Sequence, residues 1–257
     1  MIIDTSKTSA AQQAILNSVE KALNVPHKFV LNELVPSSYK ILNEGSASYL
    51  GLQMKLHHAF TTSAFSKFAF EHGLKESIST TGGQAELARQ GNPGYDIEIA
   101  GQKFSLKTEA AKNSSFDVVH ISKWMELGKN PNWGDREISF KEKENVLVEL
   151  AKEFIQHLAG YDRILVLRFL NGKKVGSGFS RFYELVEIPK EILLECMSGR
   201  FEMKMDSSQF PKPGYCYVTN KYGNPVFSLY FDGGGERKLQ IKHLDKSVCI
   251  QHASWEF

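Results

Sequence analysis

Hydrophobic positions recur every fourth residue near the N-terminus, alternate with polar ones in the middle, return to fourfold spacing, and alternate again toward the C-terminus. Over residues 6–24, Ile15, Val19 and Leu23 share one helical face, which predicts an amphipathic helix stopped by Pro26. Residues 33–48 are polar and irregular. Between 49 and 76 the near-fourfold spacing of Leu56, Phe60, Ala64 and Phe68 predicts a largely helical stretch. Residues 79–94, with Gly82-Gly83 and Gly91-Asn92-Pro93-Gly94, read as loop. Alternation then sets in. Ile97 and Ile99, followed by Phe104 and Leu106, are interleaved with polar residues around Gly101-Gln102, the pattern of a β-hairpin with a two-residue turn. That turn places Asp96 opposite Lys107 and Glu98 opposite Ser105, all four on one face, with the apolar residues on the other.

Residues 117–127 predict a helix ended by Gly128, with a loop over 130–134 around Trp133. Residues 141–158 form the clearest helix, with Val146, Leu150, Phe154 and Leu158 four apart. An apolar strand spans 163–170 and breaks at Asn171-Gly172. Short strands are expected over 215–219, 226–231, 238–244 and 247–255, joined at Gly223-Asn224-Pro225 and Asp232-Gly233-Gly234-Gly235. This order predicts an α/β chain of the α+β kind: a central mixed sheet flanked by helices, with a helical N-terminal part and a β-rich C-terminal part. At 257 residues and 42% hydrophobic content a single domain is expected, divided into a helical part (1–59), a core (60–175) and a β-rich part (176–257).

Composition narrows the function. A net charge of +2 excludes a wholly basic coat, so any nucleic-acid surface is a local concentration of Lys and Arg. Cys196, Cys216 and Cys249 are too widely spaced for a disulfide framework or a zinc ligand set. Met1-Ile2-Ile3-Asp4 opens no export signal and no stretch is apolar enough for a membrane span, which points to a reducing, cytoplasmic setting where the acceptor pattern Asn113-Ser114-Ser115 carries no weight. His57 and His58, adjacent on a helix, point to different sides and do not share a metal. The glycine run at 233–235 lacks the ending of a phosphate loop, and the signatures of serine hydrolases and zinc peptidases are missing.

The polar hairpin face carries the candidate chemistry. Phosphodiester hydrolysis needs carboxylates that hold a divalent cation and a positive charge near the attacking water, and Asp96 and Lys107 meet both needs. Pro93-Gly94-Tyr95-Asp96 followed by Ser105-Leu106-Lys107 resembles the PD-(D/E)XK nuclease superfamily, which includes most type II restriction endonucleases, over roughly residues 60–170. Ser105 departs from the motif, standing where the family has a second carboxylate. Glu98, Glu109, Glu126 and Glu71 are the acids within reach of that role. The resemblance implies a restriction-endonuclease-like fold and a cation, Mg2+ with Mn2+ substituting, held by Asp96, a displaced Glu and the backbone carbonyl of Leu106. It further implies that Lys107 orients or activates water and stabilises developing charge, with Ser105 positioning a water. Double-stranded DNA as substrate, a homodimer on palindromic sites and a companion DNA methyltransferase of the same specificity follow from the same likeness.

Plainer readings stand beside these. Asp96 and Lys107 also make a surface ion pair, and Lys67, Glu71 and Lys75 an ordinary i, i+4, i+8 charge ladder. Glu109 starts a loop in that reading, and Glu98 faces solvent. A repair or nicking nuclease of the same superfamily, and a DNA-binding protein that has lost catalysis, are the rival functions. For DNA contact, Lys238, Gln240 and Lys242 alternate with Leu239 and Ile241 on one strand face, and Arg237 in the preceding loop suits bidentate contact with guanine. Lys173-Lys174 is a second candidate phosphate contact, while Trp124, Trp133 and Trp255 suit base stacking or, more commonly, the core.

Overall fold

A computed structural model of the chain describes residues 8–25, 27–89, 91, 94–111, 114–128, 133, 140–170 and 181–257, with backbone alone over 140–144. Helix α1 (Ala10–Asn24) and strand β1 (Lys28–Leu31) precede helices α2 (Glu44–Phe60) and α3 (Lys67–Thr80). Strands β2 (Ala85–Leu87), β3 (Ile97–Ile99), β4 (Gln102–Glu109) and β5 (Val118–Glu126) come next, then helix α4 (Phe140–Leu158) and strand β6 (Arg163–Phe169). The C-terminal third holds β7 (Phe182–Glu187), β8 (Arg200–Met203), β9 (Gly214–Thr219), β10 (Pro225–Asp232), β11 (Lys238–Asp245) and β12 (Ile250–Glu256).

Among the described residues the strands form two sheets. The first has the order β1-β12-β7-β6-β4-β3-β2 and is mixed, because β4 and β6 run parallel while their neighbours are antiparallel. The second, β5-β11-β10-β9-β8, is antiparallel throughout. Strand β6 is buried along its whole length, as expected of a near-continuous apolar run in the middle of a sheet covered on both faces. On one face of the first sheet, Ile97, Phe104, Leu106, Leu165 and Leu185 meet Leu50 and Met54 of α2 and Phe70 and Leu74 of α3. On the other, Ile164, Val166 and Val186 join Leu150, Phe154 and Leu158 of α4 and the inner face of the second sheet. Gly51 lets α2 approach closely: a Cβ there would lie 2.7 Å from the ring of Trp255, whose indole N–H donates to the Ala47 carbonyl at 2.8 Å.

The expected α+β architecture is present, with helices toward the N-terminus and strands dominating the C-terminal part. Several local expectations are corrected. Residues 117–127 form strand β5 and not a helix. Register shifts in its pairing with β11 break the twofold alternation, so Val119, Ile121 and Trp124 are the buried positions, a spacing that imitates a helix. The stretch 49–76 is two helices: α2 begins at Glu44 under a capping box from Asn43 and Ser46, and α3 restarts after Ser66, which caps it. β2 lies within the expected loop 79–94, and β1, β7 and β8 are strands that periodicity did not mark. Asn171-Gly172, Pro93, Asn92, Asn113, most of the loop 130–134 and the N-terminal seven residues lie outside the described residues. The cysteines form no disulfide; Cys196 and Cys216 are buried. No helix among the described residues is long and apolar enough to cross a membrane.

Candidate active site

The hairpin forms with a register shifted from the expected one. Ile99 faces Gln102, Glu98 faces Lys103 and Ile97 faces Phe104, so Ala100-Gly101 is the turn and not Gly101-Gln102. Both turn residues have positive φ, 49° and 80°, the pattern of a type I′ turn, which matches the twist of paired strands. The shift moves each pairing by two positions, and because side chains alternate with period two the polar residues keep their common face.

Asp96, just before β3, donates its N–H to the Phe104 carbonyl at 2.9 Å. Its Oδ2 accepts the backbone N–H of Leu106 at 2.6 Å and the hydroxyl of Ser105 at 3.4 Å. Asp96 Oδ1 takes its ion pair from Lys67 Nζ at 2.7 Å, and not from Lys107 as in the plainer reading of the hairpin. Lys67 is the first residue of α3, and its ammonium also lies 3.3 Å from Glu71 one turn on. Two carboxylates from separate elements thus converge on one cation. The charge ladder is therefore only half present: Lys67 and Glu71 pair, while Lys75 bonds Glu76.

Lys107 is 8% exposed and lies 5.2 Å from the centroid of the Trp124 ring on β5. Burial pulls its ammonium down to about 8, with Asp96 opposing that shift and the charge of Lys67 adding to it. Trp124 in turn donates its indole N–H to the Tyr161 hydroxyl at 3.2 Å. Burial holds that phenol neutral well above its usual range. His157, edge-on to Tyr161, is kept below the usual histidine range by burial and by the charge of Lys107. The turn after α4 presses against the loop leading to Asp96: a Cβ on Gly160 would lie 3.1 Å from Gly94 Cα. Sequence reading missed Lys67, Tyr161 and His157 as site residues and considered Trp124 only for base stacking or the core. Of the three missed, only Lys67 left a signal, its spacing to Glu71.

The other candidate acids lie elsewhere. Glu98 faces Lys103 on β4 and Glu86 on β2 instead of Ser105. Glu109 is buried at the far end of β4, where Arg168 Nε donates to it at 2.5 Å. Arg168, fully buried, also binds Glu184 and the carbonyls of Ser115 and Val118, and Lys246 closes the network on Glu184. Glu126 ends β5 and pairs with Lys123 at the surface.

Lys238, Gln240 and Lys242 lie together on the outer face of the second sheet. Lys238 pairs with Glu236, Gln240 donates to Asp232 at 3.1 Å, and Lys242 sits 3.8 Å over the Tyr230 ring. Tyr215 and Tyr217 stack beside them, with Arg200 4.7 Å over Tyr217 and Lys204 5.6 Å over Tyr215. This tyrosine and cation row was not anticipated. Arg237, at φ 41°, stands 6.0 Å over Trp133, and its carbonyl accepts the Leu127 N–H. Trp124, Trp133 and Trp255 are all buried, so none is an exposed stacking surface in this structure. Lys173-Lys174 lies outside the described residues.

A family model described as "SmaI: Type II site-specific deoxyribonuclease" matches residues 5–257. The type II restriction enzyme SmaI of Serratia marcescens is 44% identical over 222 residues, covering 86% of this chain and 83% of that enzyme. No solved structure matches. The family match runs through both sheets and the hairpin that carries Asp96 and Lys107, and on that evidence the chain belongs to the SmaI family of type II site-specific deoxyribonucleases.

Proposed function

We propose that this restriction endonuclease cuts double-stranded DNA at a PD-(D/E)XK-type site in which Ser105 replaces the second acid and Glu71 supplies the missing carboxylate. The observation that carries this reading is the convergence of Asp96 and Glu71 on a single positive charge, beside the strand bearing Ser105 and Lys107. Among the described residues no three His, Cys, Asp or Glu side chains cluster to hold a metal. The donor set is therefore these two carboxylates, with the Leu106 carbonyl and the Ser105 hydroxyl on the neighbouring strand. An all-oxygen set suits Mg2+ or Mn2+. The Lys67 ammonium paired with both carboxylates supports a cation position between them.

When bound, the cation supplies a lowered water pKa and offsets the charge of the scissile phosphate. The chain supplies the rest. Asp96 is fixed by the Leu106 N–H, which leaves Oδ1 to face the cation position. Lys107, locked under Trp124, aims a proton-bearing Nζ at the charge that grows on the phosphoryl oxygens and orients the attacking water. The Ser105 hydroxyl holds that water. In this reading Glu109 serves the Arg168 network, and Glu98 lines the approach without binding the cation.

The remaining parts of the reading rest on the family and on the architecture. One domain over 1–257, with the catalytic core at 60–175 and a DNA-recognition part at 176–257, is supported by β1, β7 and β12 sharing the sheet that carries the hairpin. Arg237, Lys238, Gln240 and Lys242 would contact DNA. A homodimer on palindromic duplex, cytoplasmic placement and a companion methyltransferase complete it. Family membership favours site-specific double-strand cleavage over nicking or binding alone.

The test is incubation of unmethylated plasmid with wild type, Asp96→Asn, Glu71→Gln and Lys107→Ala, with and without Mg2+. Discrete linear fragments from the wild type alone, only with the cation, while the variants still bind DNA, is the expected result. Wild-type rates from Asp96→Asn would overturn the site.

A further inference from the structure

Lys67 has no place in the motif that led to the site, yet its ammonium holds both carboxylates at once, 2.7 Å from Asp96 and 3.3 Å from Glu71. We infer that Lys67 is an exchangeable counter-ion that competes with the divalent cation for these carboxylates and leaves when the cation enters. The inference rests on Asp96 and Glu71 being the cation's ligands.

Three features separate Lys67 from Lys107. Lys67 occupies the first turn of α3, where the positive end of the helix dipole disfavours an ammonium, so helix stability does not explain its position. Its side chain is 43% exposed, which gives it a route to solvent without repacking, whereas Lys107 is enclosed beneath Trp124. Its ammonium is ion-paired to both carboxylates, whereas that of Lys107 lies against the Trp124 ring.

Geometry and charge make the two cations mutually exclusive. A divalent cation held by both carboxylates would take the space between them that the Lys67 ammonium now fills. Two carboxylates face two ammonium groups in the present arrangement, so an added divalent ion brings an excess of positive charge that the departure of Lys67 lessens. Lys67 therefore neutralises the site until the cation arrives and raises the cation concentration needed to fill it.

The experiment is calorimetric titration of Mn2+ into the full-length protein without DNA, for wild type, Lys67→Met, Lys67→Gln and Asp96→Asn, with thermal melts to confirm folding. Lys67→Met and Lys67→Gln should both bind Mn2+ about tenfold more tightly than wild type, which corresponds to roughly 1.4 kcal/mol. Asp96→Asn should abolish the binding. Unchanged or weaker Mn2+ binding in both folded Lys67 variants, with Asp96→Asn still abolishing it, overturns the competition while leaving the site assignment intact. Mn2+ binding that survives in Asp96→Asn removes the ligand assignment, and the inference with it.

Discussion

His58 and Tyr183 show how one buried contact fixes a protonation state. His58 Nδ1 meets the Thr61 carbonyl at 3.0 Å and so carries the proton, which leaves Nε2 to accept the Tyr183 hydroxyl at 2.8 Å. The Tyr183 oxygen in turn accepts the Phe65 N–H at 2.9 Å. Burial holds the His58 pKa at about 4, so its neutral form is the stable one in the fold. Because the folded pKa is lowered, the unfolded chain binds the proton more readily, and stability falls as pH drops from 6.5 toward 4. Urea midpoints at pH 7 and pH 5 should show this loss in the wild type and a smaller one in His58→Gln. Lys107 follows the same sign at higher pH. With its folded pKa near 8, its burial costs stability at neutral pH, a penalty that fades as pH rises from 8 toward 10.5. Lys107→Met should therefore resist urea at pH 7 better than wild type by roughly 1–2 kcal/mol while losing cleavage, the trade expected of a catalytic lysine.

At the scale of elements, the hairpin, β5 and the first turns of α3 carry the site between them. The β3–β4 turn sets Asp96 against Phe104 and Leu106, and β5 lays Trp124 over Lys107. Ala100 occupies a positive-φ position in that turn, which Asn tolerates better than Ala. Ala100→Asn is expected to raise stability by about 0.5–1 kcal/mol without changing cleavage, measured as a shift in urea midpoint. A fall in stability would show that the positive φ at 100 is not retained in solution. The alternation that marked the hairpin was legible because Ile97 to Ile99 and Lys103 to Leu106 obey it on either side of the turn. β5 was not legible, because its register shifts turn buried positions two apart into a set that also fits a helix.

For the whole molecule, the outer face of the second sheet is the surface to test for DNA contact. Cross-strand pairing brings Tyr217, Ser228 and Lys242 into one row, and Tyr215, Tyr230 and Gln240 into the next. Lys242→Ala should weaken binding to all duplex sequences alike and lower the salt dependence of the affinity by about one counterion, whereas Arg237→Ala should relax specificity at one base position. Equal losses on cognate and random DNA for both would remove Arg237 as a reader. The sequence by itself determined the amphipathic α4, the strand β6, the polar face of the hairpin and the presence of both Asp96 and Lys107 on that face, because each follows from rules between near neighbours. Only the tertiary structure decided which cation Asp96 meets. Lys67 lies 29 positions away, and Arg168 lies 59 positions from the Glu109 it claims. It also decided that Glu71, indistinguishable in sequence from a solvated helix residue, shares the Lys67 ammonium with Asp96. Such contacts depend on how separate elements pack, and no periodicity along the chain records the distance between two elements.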